Sequence, residues 1–167
     1  WKAKEWEFLK FIQLYKNIST ITKCVLILPP DSVKKDVLSE LEQDDIKMIF
    51  PENIESLITE IKKCKLFISN DSGPLQIAAL LGKPTFGIYG PTNPIFSIPI
   101  GALHHTINKK IKCSPEKEKY CFTFGGRYCP HYRCLELLTV EEVFSSILKL
   151  LDEIDKFYIT SSKSLIN

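Results

Sequence analysis

Leu66-Phe-Ile-Ser69, Asn70-Asp71-Ser72-Gly73-Pro74, a run of small and apolar residues to Leu81, Gly82-Lys83-Pro84, then Thr85-Phe-Gly-Ile-Tyr89: this stretch decides the reading of the chain. Its first four residues form a short apolar run that stops at polar residues, the pattern of a buried strand. Residues 74–81 carry helix-compatible small and apolar side chains. Pro74 suits the first helical turn, where its missing N–H costs nothing, and Gly82 suits the position just past a helix end. Residues 85–89 are again apolar and end at Gly90-Pro91. Two strands joined by one helix run parallel, because the crossover returns the chain to the same end of the sheet.

The same alternation continues outward. Upstream, Cys24-Val-Leu-Ile-Leu28 is a continuous apolar run stopped by Pro29-Pro30, which reads as a strand buried on both faces. Residues 33–42 put Val33, Val37, Leu38 and Leu41 on one helical stripe, and Lys47-Met-Ile-Phe50 is a strand closed by Pro51. Asn53 caps a helix bearing Ile54, Leu57, Ile58 and Ile61 on one face. Residues 4–16 predict an opening helix with Phe8, Phe11, Ile12 and Tyr15 inward. Downstream, Gly90, Pro91, Pro94, Pro99 and Gly101 mark an irregular loop over 90–101, and 104–108 reads as one more short strand. Residues 109–134, rich in Lys, Cys and Pro, read as a long ordered loop insertion. Thr139 and Glu142 make a capping box that opens a helix with Val140, Val143, Phe144, Ile147, Leu148, Leu151 and Ile154 toward the core. The expectation is one α/β domain over 1–158, a doubly wound, Rossmann-like parallel sheet. Residues 159–167, Ser- and Lys-containing, are expected to be a frayed tail.

Composition narrows the function classes. The chain has 167 residues, 44% hydrophobic and 25% charged, the balance of a globular domain with a sizeable core. A net charge of +2 gives no basic surface for nucleic acid. No apolar run approaches a membrane span. The chain opens at Trp1, inside a helical pattern and without a signal-like start, so it reads as a piece that lacks an N-terminal portion. No cofactor is expected.

The residues able to carry chemistry lie at the carboxyl ends of the predicted strands, where open α/β sheets bind ligands. At Asn70–Pro74, Gly73 lets a ligand approach the backbone, Ser72 offers a hydroxyl, and free N–H groups at the helix start favour a phosphate. Asp71 fits an anion site only if it serves a sugar, a metal or the turn itself. The alternative is a plain capped turn with Asp71 as the cap. Thr92, in the Gly90-Pro91-Thr92 turn, can donate to a phosphate or sugar, or that turn is simply rigid. Cys113, Cys121, Cys129 and Cys134 are separated by seven, seven and four residues. Only the last spacing suits half of a zinc site, so the loop holds zinc, a disulfide or free thiols, with His131 as an added donor. Cys24 and Cys64 are isolated, and His104-His105 sit on a strand as structural residues. Tyr120, Phe122, Phe124, Tyr128 and Tyr132 pack the loop or stack on an acceptor or partner domain. The lysines between 109 and 119 solvate that face or favour an anionic surface.

Asn70–Pro74, Ala78-Ala-Leu-Leu-Gly-Lys-Pro-Thr85 and Tyr89-Gly-Pro-Thr-Asn-Pro94, at fixed spacing, closely resemble glycosyltransferase family 9, the ADP-heptose:lipopolysaccharide heptosyltransferases and their relatives. Lys4-Glu5-Trp6 is similar to the family's entry into its donor domain. Cys129-Pro130 through Cys134-Leu135-Glu136, with Thr139–Val143, resembles its C-terminal segment. The resemblance implies the C-terminal, donor-binding half of a GT-B enzyme. It places donor diphosphate and sugar at Asp71, Ser72 and Gly73, a phosphate-contacting lysine at Lys4 and a ribose-contacting acid near Asp31. Gln76 stands where many members carry His; it can hydrogen-bond a hydroxyl but carries no charge. The implied reaction is inverting transfer of heptose or a similar sugar from an ADP-sugar to a lipopolysaccharide-type glycan or glycolipid. The base comes from an N-terminal acceptor domain that this chain lacks, so the chain alone is expected to be inactive. Alternatives are a non-catalytic nucleotide-sugar-binding domain, or a GT-B enzyme that uses a UDP-sugar. The implied location is cytoplasmic, including the inner face of the inner membrane.

Overall fold

The computed structural model describes residues 1–101, 103–121, 129 and 131–164; Phe122, Phe124 and Tyr128 of the aromatic loop lie outside the described residues. A 3-10 turn at Lys2–Lys4 precedes α1 (Phe8–Ser19), β1 (Leu26–Ile27), α2 (Lys35–Gln43), β2 (Met48–Ile49), α3 (Ile54–Lys63) and β3 (Phe67–Asn70). Then come α4 (Gly73–Leu80), β4 (Thr85–Tyr89), a 3-10 turn at Pro94–Phe96, β5 (His104–Asn108), α5 (Arg133–Glu136) and α6 (Val140–Ser164).

Every described strand pair is parallel. β4 is central, with β3 on one side (Phe67 opposite Thr85) and β5 on the other (Thr85 opposite His104). Period-two alternation on the central strands sorts the core onto two faces. Phe86 and Ile88 join Trp6 from the segment before α1, Leu14 and Ile18 from α1, and Val143, Ile147, Leu150 and Ile154 from α6. Tyr89 and Phe67 join Ile61, Leu75 and Ala78 from α3 and α4. Helices therefore cover both faces, as the alternating sequence predicts. Gly87 allows the second face to close: a Cβ there would lie 2.5 Å from Tyr89 Cε2 and 2.9 Å from Leu75 Cδ2. Gly82, at φ 71°, ends α4 in the left-handed region, and the Lys83 N–H returns to the Ala78 carbonyl at 3.0 Å.

Three elements depart from the sequence reading. The opening helix begins at Phe8, because Glu5 is extended (φ −89°, ψ 111°) and the Trp6 N–H is committed to Asn70 Oδ1 at 3.0 Å. The first strand is short and half-buried: β1 pairs only with β2 (Leu26 opposite Met48), and Val25 is exposed. No ladder joins β1 to β3 among the described residues, so the sheet runs as two ladders. A cleft of about 2060 Å³ lies between them. Third, α6 continues as helix to Ser164, past the point where the tail is expected to fray. Its start follows the expected capping box: Glu142 N–H to Thr139 Oγ1 at 3.2 Å and Thr139 N–H to Glu142 Oε2 at 3.0 Å. Lys109 pairs with Glu142 and, with the Thr139 N–H, holds its carboxyl below the ordinary range.

His104 supplies a pH-dependent element. Its Nδ1 lies 2.9 Å from Thr85 Oγ1, and burial, with His105 beside it, lowers its pKa. A histidine held neutral in the fold leaves the unfolded chain to take the proton first on acidification. Its contribution is thus present above the unfolded value of about 6.5 and is lost as pH falls through the lower folded value. The urea midpoint is expected to drop between neutral and mildly acidic pH, and by less in His104→Asn. Equal drops in the two proteins count against this account.

Candidate functional site

The carboxyl edge of β3 and β4 carries a constructed pocket. β3 ends at Asn70, and the Asp71 N–H continues the ladder to the Ile88 carbonyl at 3.1 Å, which fixes the turn. Asn70 Oδ1 accepts the Trp6 N–H, while the buried Trp6 indole donates to the Leu138 carbonyl at 3.1 Å. These two bonds pin the segment 5–7, which follows the 3-10 turn, across the sheet end. They deliver Lys4 to the turn, where its Nζ meets Asp71 Oδ2 at 2.5 Å with both side chains largely buried (17% and 7% exposed). The ammonium also lies 4.7 Å from the Trp1 ring and 5.7 Å from the Tyr120 ring, within cation–π range. Asp71, an awkward residue for an anion site when read alone, thus has a defined partner: it holds the cation in place.

α4 begins at this turn. Ser72 is its N-cap residue but gives no side-chain cap; its Oγ instead lies 2.8 Å from Ser69 Oγ. The start of α4 at Gly73, which lines the pocket, is therefore left without a side-chain cap and has the helix dipole behind it. A Cβ placed on Gly73 meets nothing within 4 Å, so the space in front of the helix is open. Trp1, Lys4, Asp71, Ser72, Gly73 and Gln76 line a cavity of about 910 Å³ whose opposite wall is Phe96–Ile100. That wall is tied down at one atom: the Ser97 carbonyl accepts both Gln76 Nε2 at 2.7 Å and Tyr89 Oη at 3.0 Å. Burial, and then the Asp71 charge, push the Tyr89 phenol up to about 12, so it remains a donor. The arrangement (an uncapped helix start at Gly73, one oriented cation, the Ser72 hydroxyl) is suited to a bound phosphate group.

Of the residues singled out in the sequence, Lys4, Asp71, Ser72, Gly73 and Gln76 meet here. Thr92 does not line the cavity: it is 1% exposed, bridges Tyr120, and its Oγ1 has no partner among the described residues. Asp31 is exposed in the left-handed region (φ 56°), between Pro30 and Ser32, which line the larger cleft. That cleft also reaches Ser72 and Gly73. All six cysteines are free thiols. Burial, with Cys113, Cys134 and Cys129 adding to it, pushes the Cys121 thiol up to about 12. Burial, with Cys129 and Cys113, pushes Cys134 to about 11. Sequence reasoning missed Asn70 and Ser97 as organisers and Trp1 as a wall. Asn70 carried a signal, a polar side chain just beyond a buried strand; Ser97, which acts through its carbonyl, carried none.

Residues 1–124 match Glycosyltransferase family 9 (heptosyltransferase). The chain is 28% identical over 156 residues to a lipooligosaccharide heptosyltransferase 2 of Campylobacter jejuni, a match covering 89% of this chain and 47% of that protein. The chain therefore spans about half the length of this relative. Among solved structures, it superposes on a glycosyl transferase family 9 protein from Veillonella parvula with TM-score 0.69 and 26% identity, covering 90% of this chain and 43% of that one. The ADP-heptose lps heptosyltransferase II of E. coli gives TM-score 0.68 at 24% identity, over 92% of this chain and 44% of that one, a likeness of fold.

Proposed function

This chain belongs to glycosyltransferase family 9, and we propose that it is the nucleotide-sugar-binding half of a GT-B enzyme. The reaction in this reading is inverting transfer of heptose or a similar sugar from an ADP-sugar to a lipopolysaccharide-type glycan acceptor. The observation that carries it is the Lys4–Asp71 pair set beside the uncapped start of α4. When the bond from the anomeric carbon to the donor diphosphate breaks, negative charge collects on the departing phosphate. Groups aimed at that charge stabilise the transition state more than the ground state. Lys4 Nζ, the Gly73 N–H at the start of α4 and the Ser72 hydroxyl fill that role, and Asp71 positions Lys4. The nucleoside extends along the cleft past Ser32, with Asp31 at its margin. The base that deprotonates the acceptor hydroxyl resides on a second, N-terminal domain, and the acceptor sits between the two. The place of action is the cytoplasm, at the inner face of the inner membrane. Among the described residues no helix is long and apolar enough to cross a membrane.

A thermal-shift series with ADP-, UDP- and GDP-sugars tests the reading. A ligand held by the native state alone raises Tm, by about 2.7 kcal/mol of added stability at a hundred times Kd. ADP-sugars are expected to raise Tm and the others not; silence toward all three, or a preference for UDP-sugars, overturns it. Sugar transfer by the chain alone would overturn the division of labour. Gly73→Ala refines the location. The new methyl has room, and the substitution leaves stability unchanged or raises it by about 0.4–1 kcal/mol through the unfolded state. It also occupies the space assigned to the diphosphate. Nucleotide-sugar affinity is expected to fall at least about tenfold, about 1.4 kcal/mol, with no loss of Tm. Unchanged affinity would move the phosphate elsewhere.

A further inference from the structure

Four thiols that the pocket does not use converge behind it. The Gly90–Pro91–Thr92 turn gathers two of them. The Cys121 N–H donates to the Pro91 carbonyl at 3.0 Å, and the neighbouring Tyr120 bridges Thr92. On the same turn, Gly90 packs so tightly against Leu135 that a Cβ would sit 2.9 Å from its Cγ, which brings up the adjoining Cys134. His131 gathers the other two, with Nε2 4.0 Å from Cys113 Sγ and Nδ1 3.9 Å from Cys129 Sγ. The Tyr132 N–H donates to Cys129 Sγ at 3.2 Å, from a left-handed backbone (φ 46°) unusual for a bulky residue. The Arg133 N–H donates to His131 Nδ1 at 3.3 Å, so the neutral ring carries its proton on Nε2, facing Cys113.

We propose that Cys113, Cys121, Cys129 and Cys134 bind one structural zinc ion, with the His131 Nε2–H as a hydrogen-bond donor to the Cys113 sulfur. Four thiolates held side by side without a cation would repel one another, and a divalent, thiophilic cation lets the thiols give up their protons together. Binding forms four Zn–S bonds and expels the thiol protons to solvent, without oxidation or reduction. The tetrathiolate centre carries two negative charges, and Lys110, Lys112, Lys117 and Lys119, against Glu116 and Glu118, leave the same loop with compensating positive charge. Among the described residues no three such groups already stand at coordinating distance, so the ion must draw the thiols in. The exposed Cys113 has the freedom to swing toward the buried Cys129 and Cys134. The role is mechanical. The ion anchors Cys121, and with it the adjacent Tyr120 that flanks Lys4. This inference is independent of the identity of the donor.

The test is elemental analysis of the purified chain by plasma mass spectrometry, expected to give about one zinc per chain. Cobalt(II) exchanged into the site is expected to show sulfur-to-metal charge-transfer bands and the visible bands of a tetrahedral centre. Cys134→Ser and Cys129→Ser should abolish binding; should these buried changes prevent folding, Cys113→Ser at the surface gives the same readout. Cys24→Ser and Cys64→Ser should retain the metal. A metal-free chain that stays metal-free after reduction and zinc addition overturns the proposal. So does iron with sulfide in place of zinc, or a pair of disulfides revealed by mass.

Discussion

Lys4→Ala is expected to lower nucleotide-sugar affinity a hundredfold or more, read by titration calorimetry. A charge-assisted hydrogen bond to a phosphate contributes about 1.5–3 kcal/mol. The loss should exceed that, because Asp71 would remain, 9% exposed, with its counter-ion gone and facing the incoming diphosphate. Leaving one partner of a buried pair costs about 3–5 kcal/mol; the 17% exposure of Lys4 moderates the figure. Asp71→Asn separates the two contributions. Combined with Lys4→Ala, it removes the stranded carboxylate, and the double variant is expected to bind more tightly than Lys4→Ala alone. Affinity for Lys4→Ala within twofold of the parent, or strict additivity in the cycle, would sink this account of the pair.

Trp6→Ala is expected to give the largest loss of stability, about 3–5 kcal/mol in a urea titration. The side chain is 2% exposed, meets Phe11 edge-on at 5.1 Å and donates to the Leu138 carbonyl. A domain of this size has a total of about 5–15 kcal/mol, so the variant should sit near the threshold of folding. Trp6→Phe should cost far less, since Lys10 Nζ also reaches the Leu138 carbonyl at 3.1 Å. The Trp6 indole, tied to the Leu138 carbonyl, anchors the segment that carries Lys4, so any folded Trp6→Ala should also bind nucleotide-sugar weakly. A loss of under about 1 kcal/mol would show that the indole is not the keystone between the 5–7 segment and α6.

The legible parts of this molecule are those specified locally. β4 matches residue by residue, because an apolar run bounded by Pro84 and Gly90 leaves little freedom. The Asn53 and Thr139 caps follow from side chains that satisfy backbone groups three residues away. The Asn70–Pro74 stretch is legible as a strand end running into a helix, because Pro74 suits the first helical turn. The purpose of Asp71 is not, because its partner lies 67 residues away in sequence. The start of α1 was misplaced for a like cause: the competing bond from Trp6 spans 64 residues. β1 looked fully buried because apolarity records the capacity to be covered and not the presence of a cover. Thr92 sits in the turn anticipated for it, yet the returning 119–121 segment closes over it, and that route is set by long-range packing.

The Lys4–Asp71 pair has a kinetic corollary. A lone cation at the mouth of a pocket projects its field into solvent and draws anions from beyond a Debye length of about 8–10 Å. Here Asp71 cancels that field before any anion arrives, and the aromatic rings of Trp1 and Tyr120 shield the rest. If the pocket takes the donor diphosphate as proposed, its encounter rate is expected to be governed by diffusion and shape and to be nearly insensitive to ionic strength. Selectivity among anions is exerted after arrival, in how long each one stays.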